Sequence, residues 1–192
     1  MNDWNHHATL TGERVRLEPL TPGHAKGLFE AGADPEIWTW LSLRQPRDVA
    51  AAEAMVDDIL ADTGRRAWAQ LDTRTGEVAG TTSFYGISAR HKTLSLGYTW
   101  IGTPWHRTGL NRESKLLLLR HAFDDLGAHR VAWETDIRNL RSQKAIERLG
   151  AQREGVLRAH RVRPDGTVRD TVVYSVTGPE WPAVRTALAS SG

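Results

Sequence analysis

The chain has no cysteine in 192 residues. Disulfides, thiolate nucleophiles and cysteine metal ligands are therefore excluded. No apolar run approaches the roughly 18 residues that a membrane helix needs. The first residues, MNDWNHHATLTGERVRL, lack the basic-then-apolar order of a secretory signal. These absences favour the cytoplasm and leave no place for a membrane. No repeat, low-complexity tract or Pro/Ser-rich linker divides the chain. It reads as one domain over residues 1–192, with residues 1–10, His6 and His7 included, as a flexible tail. Lysine is scarce: Lys26, Lys92, Lys115 and Lys144 are the whole set, and arginine supplies the other basic residues. The net charge of +2 is too small to imply nucleic acid.

What is present is ordinary for a globular protein: 40% hydrophobic and 25% charged residues. Residues 14–20 alternate like a strand. Thr21 before Pro22 starts a capped helix, and residues 48–62 set Ala52, Val56, Ile59 and Leu60 on one helical face. Strands are expected at 67–72, 77–85 and 93–101, then a helix at 110–126, a strand at 130–136 and a helix at 138–150. Two strands around RPDGT and a short helix after Pro179 close the chain. That order is α+β, with a mostly antiparallel sheet and one parallel crossover.

The segment HRTGLNRES joins an apolar strand to a very apolar helix. A helix N-terminus presents unpaired N–H groups and a partial positive charge, and glycine lets a ligand approach the backbone. Gly109 with donors from 107–112, and charge from Arg107 and Arg112, suits a phosphate. A turn glycine beside solvated arginines fits the loop equally well. The segment is neither a GxxxxGK[ST] loop nor a GxGxxG fingerprint.

Residues 94–150 resemble the acyl-CoA core of the GNAT N-acetyltransferases, whose (Gln/Arg)-x-x-Gly-x-(Gly/Ala) loop falls here on His106, Gly109 and Asn111. His106 stands where the family has a cation or amide. GLNRESKLLLLRHAFDDLGAHRV, DIRNLRSQKAIERLGAQREGVLRAH and RPDGTVRDTVVYSV are similar to the RimJ/RimL branch, whose founding members acetylate N-termini of ribosomal proteins. The resemblance implies a mixed sheet of about seven strands with helices on both faces, and acyl-CoA bound where two central strands splay. It implies acetyl-CoA as cosubstrate, no metal, an amine acceptor, ribosomal protein among the candidates, and a homodimer. Backbone groups of Trp100 and Ile101 would pair with the pantetheine arm. Main-chain donors of Arg107, Thr108, Gly109, Leu110, Asn111 and Arg112 would hold the pyrophosphate. Asn139 would contact the arm, and Ser142 would protonate the leaving thiolate. Asn139 and Ser142 also suit a simple helix cap.

A three-residue hairpin loop, with Pro164 and Asp165 in a type I turn and Gly166 left-handed, pairs Arg163 with Thr167 and places His160 beside Asp170. His160, oriented by Asp170, is the candidate general base. Trp38, Trp40 and Trp105 are candidates for an acceptor pocket, and Trp68, Trp100 and Trp133 for the core. Glu113 suits the helix dipole as a structural residue, and Glu154–Gly155 a strand bend. Two other readings stand beside acyl transfer: a non-catalytic CoA-binding module, and an RNA binder using Arg138, Arg141, Arg158, Arg161 and Arg163.

Overall fold

The computed structural model of the protein describes residues 4, 6–163 and 165–190. Eight strands form one sheet: β1 (Leu10–Thr11), β2 (Val15–Pro19), β3 (Arg65–Asp72), β4 (Val78–Ser88), β5 (Thr93–Ile101), β6 (Arg130–Asp136), β7 (Gln152–Val162) and β8 (Val168–Thr177). Their spatial order is β1-β2-β3-β4-β5-β6-β8-β7. Every pairing is antiparallel except β5 with β6. The extra strand, β1, is two residues long, too short to show a period.

Five helices cover the sheet: α1 (Ala25–Ala31), α2 (Val49–Ala61), α3 (Leu110–Arg120), α4 (Leu140–Arg148) and α5 (Trp181–Ser190). The Pro22 segment starts as a 3-10 turn before α1, and α3 runs on as a π-helical turn at His121–Asp125. Helices α1 and α2 pack on one face, where Leu28, Val56 and Ile59 meet Ala67, Ala69 and Trp100. Helices α3 and α5 pack on the other, where Leu118, Leu119 and Leu188 meet Trp68, Leu96 and Trp133. Trp68, Trp100 and Trp133 are buried as expected. His7 is not a loose tail residue: its ring stands edge-on to Trp68 at 4.3 Å, and Trp68 Nε1 donates to the Ala8 carbonyl at 2.8 Å. Among the described residues no helix is long and apolar enough to cross a membrane.

Candidate active site

Strands β5 and β6 pair over three rungs only, Thr93–Ser95 against Arg130–Ala132. Both continue, to Ile101 and Asp136, so they part beyond the third rung. The α3 and α4 N-termini lie at the carboxyl ends of these two strands, where ligands bind in open sheets. The cause of the parting is local. Between Thr81 and Ser83 the β4–β5 register shifts, and Tyr98 takes a left-handed φ of 49°. Gly97 has no side chain, and a Cβ there would stand 2.9 Å from Tyr85 Cε1, so the Tyr85 ring lies across that point.

Two buried polar side chains bracket this bulge. Gln70 Nε2 donates to the carbonyls of Thr81 (3.0 Å) and Trp100 (3.3 Å). Lys115 Nζ donates to Thr82 Oγ1 (2.9 Å) and Thr99 Oγ1 (2.5 Å). Burial brings the Lys115 amine down from 10.5 to about 7. Neither residue stands out in the sequence, although a lysine inside the apolar run SKLLLL is a signal. The Trp100 carbonyl thus faces Gln70 and not the opening between the strands. The Ile101 carbonyl takes the His106 ring, Nε2 to O 2.9 Å. Each carbonyl therefore already has a side-chain partner, and the main-chain N–H groups are the other backbone groups there that could pair with the arm.

At the mouth of α3, Gly109 is left-handed (φ 87°), and so is Arg107 (φ 61°). Backbone turned this way forms a concave nest of N–H groups. Thr108 Oγ1 donates to the Trp105 carbonyl at 2.9 Å and fixes the turn. Leu110 is buried, so only its main chain faces the loop; Asn111 is exposed. The Arg112 side chain leaves the site: Nη2 donates to the carbonyls of Ala187 (2.9 Å) and Leu188 (2.5 Å) near the end of α5. Its expected charge at the loop is replaced from elsewhere. A Cβ on Gly109 would meet Arg14 Cδ at 3.3 Å and Nε at 3.4 Å, so Arg14 lies over the loop. Arg141 Nη2, from α4, reaches His106 Nδ1 at 3.4 Å. Glu113 is structural as expected. Its carboxylate accepts the N–H groups of Glu13 (2.8 Å), Arg14 (2.7 Å) and Val15 (2.9 Å).

On α4, Asn139 Oδ1 accepts from the Ser142 N–H at 3.0 Å, which is the helix cap. The Ser142 hydroxyl makes no hydrogen bond among the described residues and is half-buried.

The His160–Asp170 pair does not form. Residues 158–160 bulge opposite the single residue Asp170, and Ala159 is left-handed (φ 51°). Asp170 Oδ1 accepts the Ala159 N–H at 2.8 Å, and His160 is exposed. Arg163 does pair with Thr167 (N to O 2.8 Å), and Gly166 is left-handed; Pro164 lies outside the described residues. The three-tryptophan pocket is also absent. Trp38 is buried against Trp100, with centroids 5.1 Å apart, and Trp105 Nε1 donates to Asp72 Oδ2 at 3.1 Å. Only Trp40 of the three is exposed.

The open face of the bulge is instead polar. Tyr85 and Tyr98 meet edge-on at 5.1 Å, and the Arg65 guanidinium lies 4.1 Å over Tyr98. Glu134, two residues beyond the last β5–β6 rung, pairs with Arg161 at 2.6 Å. Arg163 holds Asp136 through two nitrogens, at 2.7 and 3.1 Å. Two of the five arginines considered for RNA are thus engaged with carboxylates. Among the described residues no group of three or more His, Asp or Glu could hold a metal ion.

The family model described as an acetyltransferase (GNAT) domain matches residues 14–152. The uncharacterized N-acetyltransferase YoaA of Bacillus subtilis (strain 168) is 28% identical over 174 residues, 88% of this chain and 97% of that protein. The [ribosomal protein uS5]-alanine N-acetyltransferase of Escherichia coli (strain K12) is 29% identical over 112 residues, 58% of this chain and 57% of that one. The crystal structure of a GCN5-related N-acetyltransferase from Brucella melitensis matches with a TM-score of 0.93 at 31% identity, covering 96% of this chain and 85% of that one.

Proposed function

We propose a direct-transfer mechanism for this chain, which belongs to the GNAT acetyltransferase family and is an acetyl-CoA-dependent N-acetyltransferase. The observation that carries the reading is the parting of β5 from β6 after three rungs, with two helix N-termini at the opening. Main-chain N–H groups of residues 107–112 hold the pyrophosphate, with Arg14, Arg107 and Arg141 as the surrounding cations. The arm of the cosubstrate lies between β5 and β6, beside the Asn139 amide and the Ser142 hydroxyl. A main-chain N–H of the Tyr98–Ile101 stretch polarises the thioester carbonyl, an effect often worth about 3 kcal/mol.

The acceptor amine attacks that carbonyl from the face bearing Tyr85, Tyr98 and Glu134. The C–N bond forms, the C–S bond breaks, Ser142 gives its proton to the sulfur and Glu134 takes one from the nitrogen; solvent then returns a proton to Ser142 and removes one from Glu134. No covalent enzyme intermediate is needed, consistent with a chain that has no cysteine. An α-amine titrates near 7.7–8.0 and a lysine amine near 10.4, so an N-terminal acceptor needs little base strength. A protein N-terminus, including that of a ribosomal protein, is the acceptor type this favours, and the Escherichia coli relative is named for such a reaction.

Thiol release by Ser142→Ala tests the site. The expected result is a fall in kcat of about 100-fold with the KM for acetyl-CoA moved less than about threefold. A variant with wild-type kcat would remove Ser142 from the chemistry.

A further inference from the structure

The acceptor face holds more arginine than its carboxylates can match. Glu134 is taken by Arg161 and Asp136 by Arg163. Arg65 and Arg169 remain. Arg65 Nε donates to Ser83 Oγ at 2.7 Å and the guanidinium covers the Tyr98 ring, but Nη2 is buried with no partner among the described residues. A buried donor left without an acceptor is costly, and an acceptor brought there by a ligand would relieve that cost. Asp62 acts on Arg65 only from a distance, from an exposed position.

Arg169 stands directly across from Arg161 in the β7–β8 ladder, a like-charge pair that repels. Its side-chain partner is a hydroxyl, Thr171 Oγ1 at 3.1 Å. Burial and Arg161 both push its pKa down; Asp136 and Glu134 oppose this, yet each already holds another arginine. The two leftover cations share the open face: Arg65 lies over Tyr98, and Arg169 stands across from Arg161, which holds Glu134. Burial and Glu134 raise Tyr85 to about 12, so its hydroxyl stays a donor.

We infer that the acceptor carries a carboxylate or similar anion close to its reacting amine, and that Arg65 and Arg169 bind that anion. The inference rests on the acetyl-transfer reading above, and it names the acceptor's chemistry. A planar guanidinium binds carboxylate through two parallel hydrogen bonds, and such charged bonds are about twice as strong as neutral ones. Polyamines, which carry several cations, are disfavoured by the same charge balance.

The test uses the full chain with saturating acetyl-CoA and thiol release as readout. Two C-terminally amidated peptides differ only in glutamate or glutamine at the second residue; free glutamate, free glutamine and spermidine complete the set. The glutamate peptide is expected to exceed the glutamine peptide in kcat/KM by about 10-fold or more. Arg169→Gln and Arg65→Gln should each collapse that ratio by raising KM for the glutamate peptide. Arg169→Glu should invert it in favour of the glutamine peptide. A strong response to free glutamate with none to the peptides would assign the site to a small amino diacid instead of a chain terminus. Equal peptide rates, or spermidine as the best acceptor, overturn the inference while leaving acetyl transfer intact. If no acceptor releases thiol, the transfer reading has failed. Calorimetric binding of the two peptides to CoA-saturated protein then decides the anion site alone, and equal affinities overturn it.

Discussion

Lys115 is fully buried with two threonine hydroxyls as partners, and its amine titrates near neutrality because burial penalises the cation. In the unfolded chain the same amine titrates near 10.5. Between those values the unfolded chain holds a proton that the folded chain does not, so stability must fall as pH drops from 10.5 towards 7. Below 7 both states are protonated and the loss is complete. Lys115→Met keeps similar volume without the charge. Thr82 and Thr99 would still have each other, their hydroxyls being 2.8 Å apart. The variant is expected to be more stable than wild type by about 3 kcal/mol at pH 7, with the gap closing by pH 10. Urea midpoints at both pH values measure this, and a gap that does not close would mean Lys115 is not neutral in the fold. Catalysis should move the other way, because the bulge that opens the strands loses one of its two anchors.

At the scale of elements, the first turn of α3 is tied to the β1–β2 turn by one carboxylate. Gly12 permits it: a Cβ there would stand 2.5 Å from Glu113 Cδ. Glu113→Ala would take the acceptor from three main-chain N–H groups, the part-buried one of Val15 among them, and free the turn that carries Arg14. A loss of about 2–3 kcal/mol is expected by chemical denaturation, with weaker CoA binding alongside; unchanged CoA affinity would show that the turn does not serve the loop. Most elements were legible in the sequence because they are periodic: α3 by its buried face, β3 to β6 by their apolar runs, and α2 by Ala52, Val56 and Ile59, although Leu60, expected on that face, is exposed and Met55 is buried in its stead. The bend at Glu154–Gly155 was legible too, through its glycine, and the ladder does shift there. The bulges at Tyr98 and Ala159 were not, because L-residues take the left-handed conformation at both, even though Gly97 stands beside the first. That is why a simple register count paired His160 with Asp170. The Arg112 side chain was misplaced for a different reason: its partners lie 75 and 76 residues away, on α5.

The whole molecule divides its labour across one sheet. On the α3 face, Leu96 and Trp133 lie one residue beyond the last β5–β6 rung and are buried in the core, so the proposed acceptor approaches from the other face. The charge at the phosphate loop is likewise a property of the assembled fold. His106 leaves no fixed cation at its own position, yet Arg14 arrives from the β1–β2 turn and Arg141 from α4. Arg14→Ala and Arg141→Ala should each raise the KM for acetyl-CoA by about 3- to 10-fold with little change in kcat, since the proposed site sets them at the pyrophosphate, remote from the reacting carbon. The acetyl thioester of pantetheine, which has no pyrophosphate, separates this from general damage: wild type and both variants should use it equally. The advantage of wild type over the variants should also shrink as salt is raised, because Arg14 is exposed and its field is screened beyond roughly 8–10 Å at ordinary ionic strength. Equal losses on both donors would place the two arginines in the scaffold and return the loop's charge to Arg107 alone.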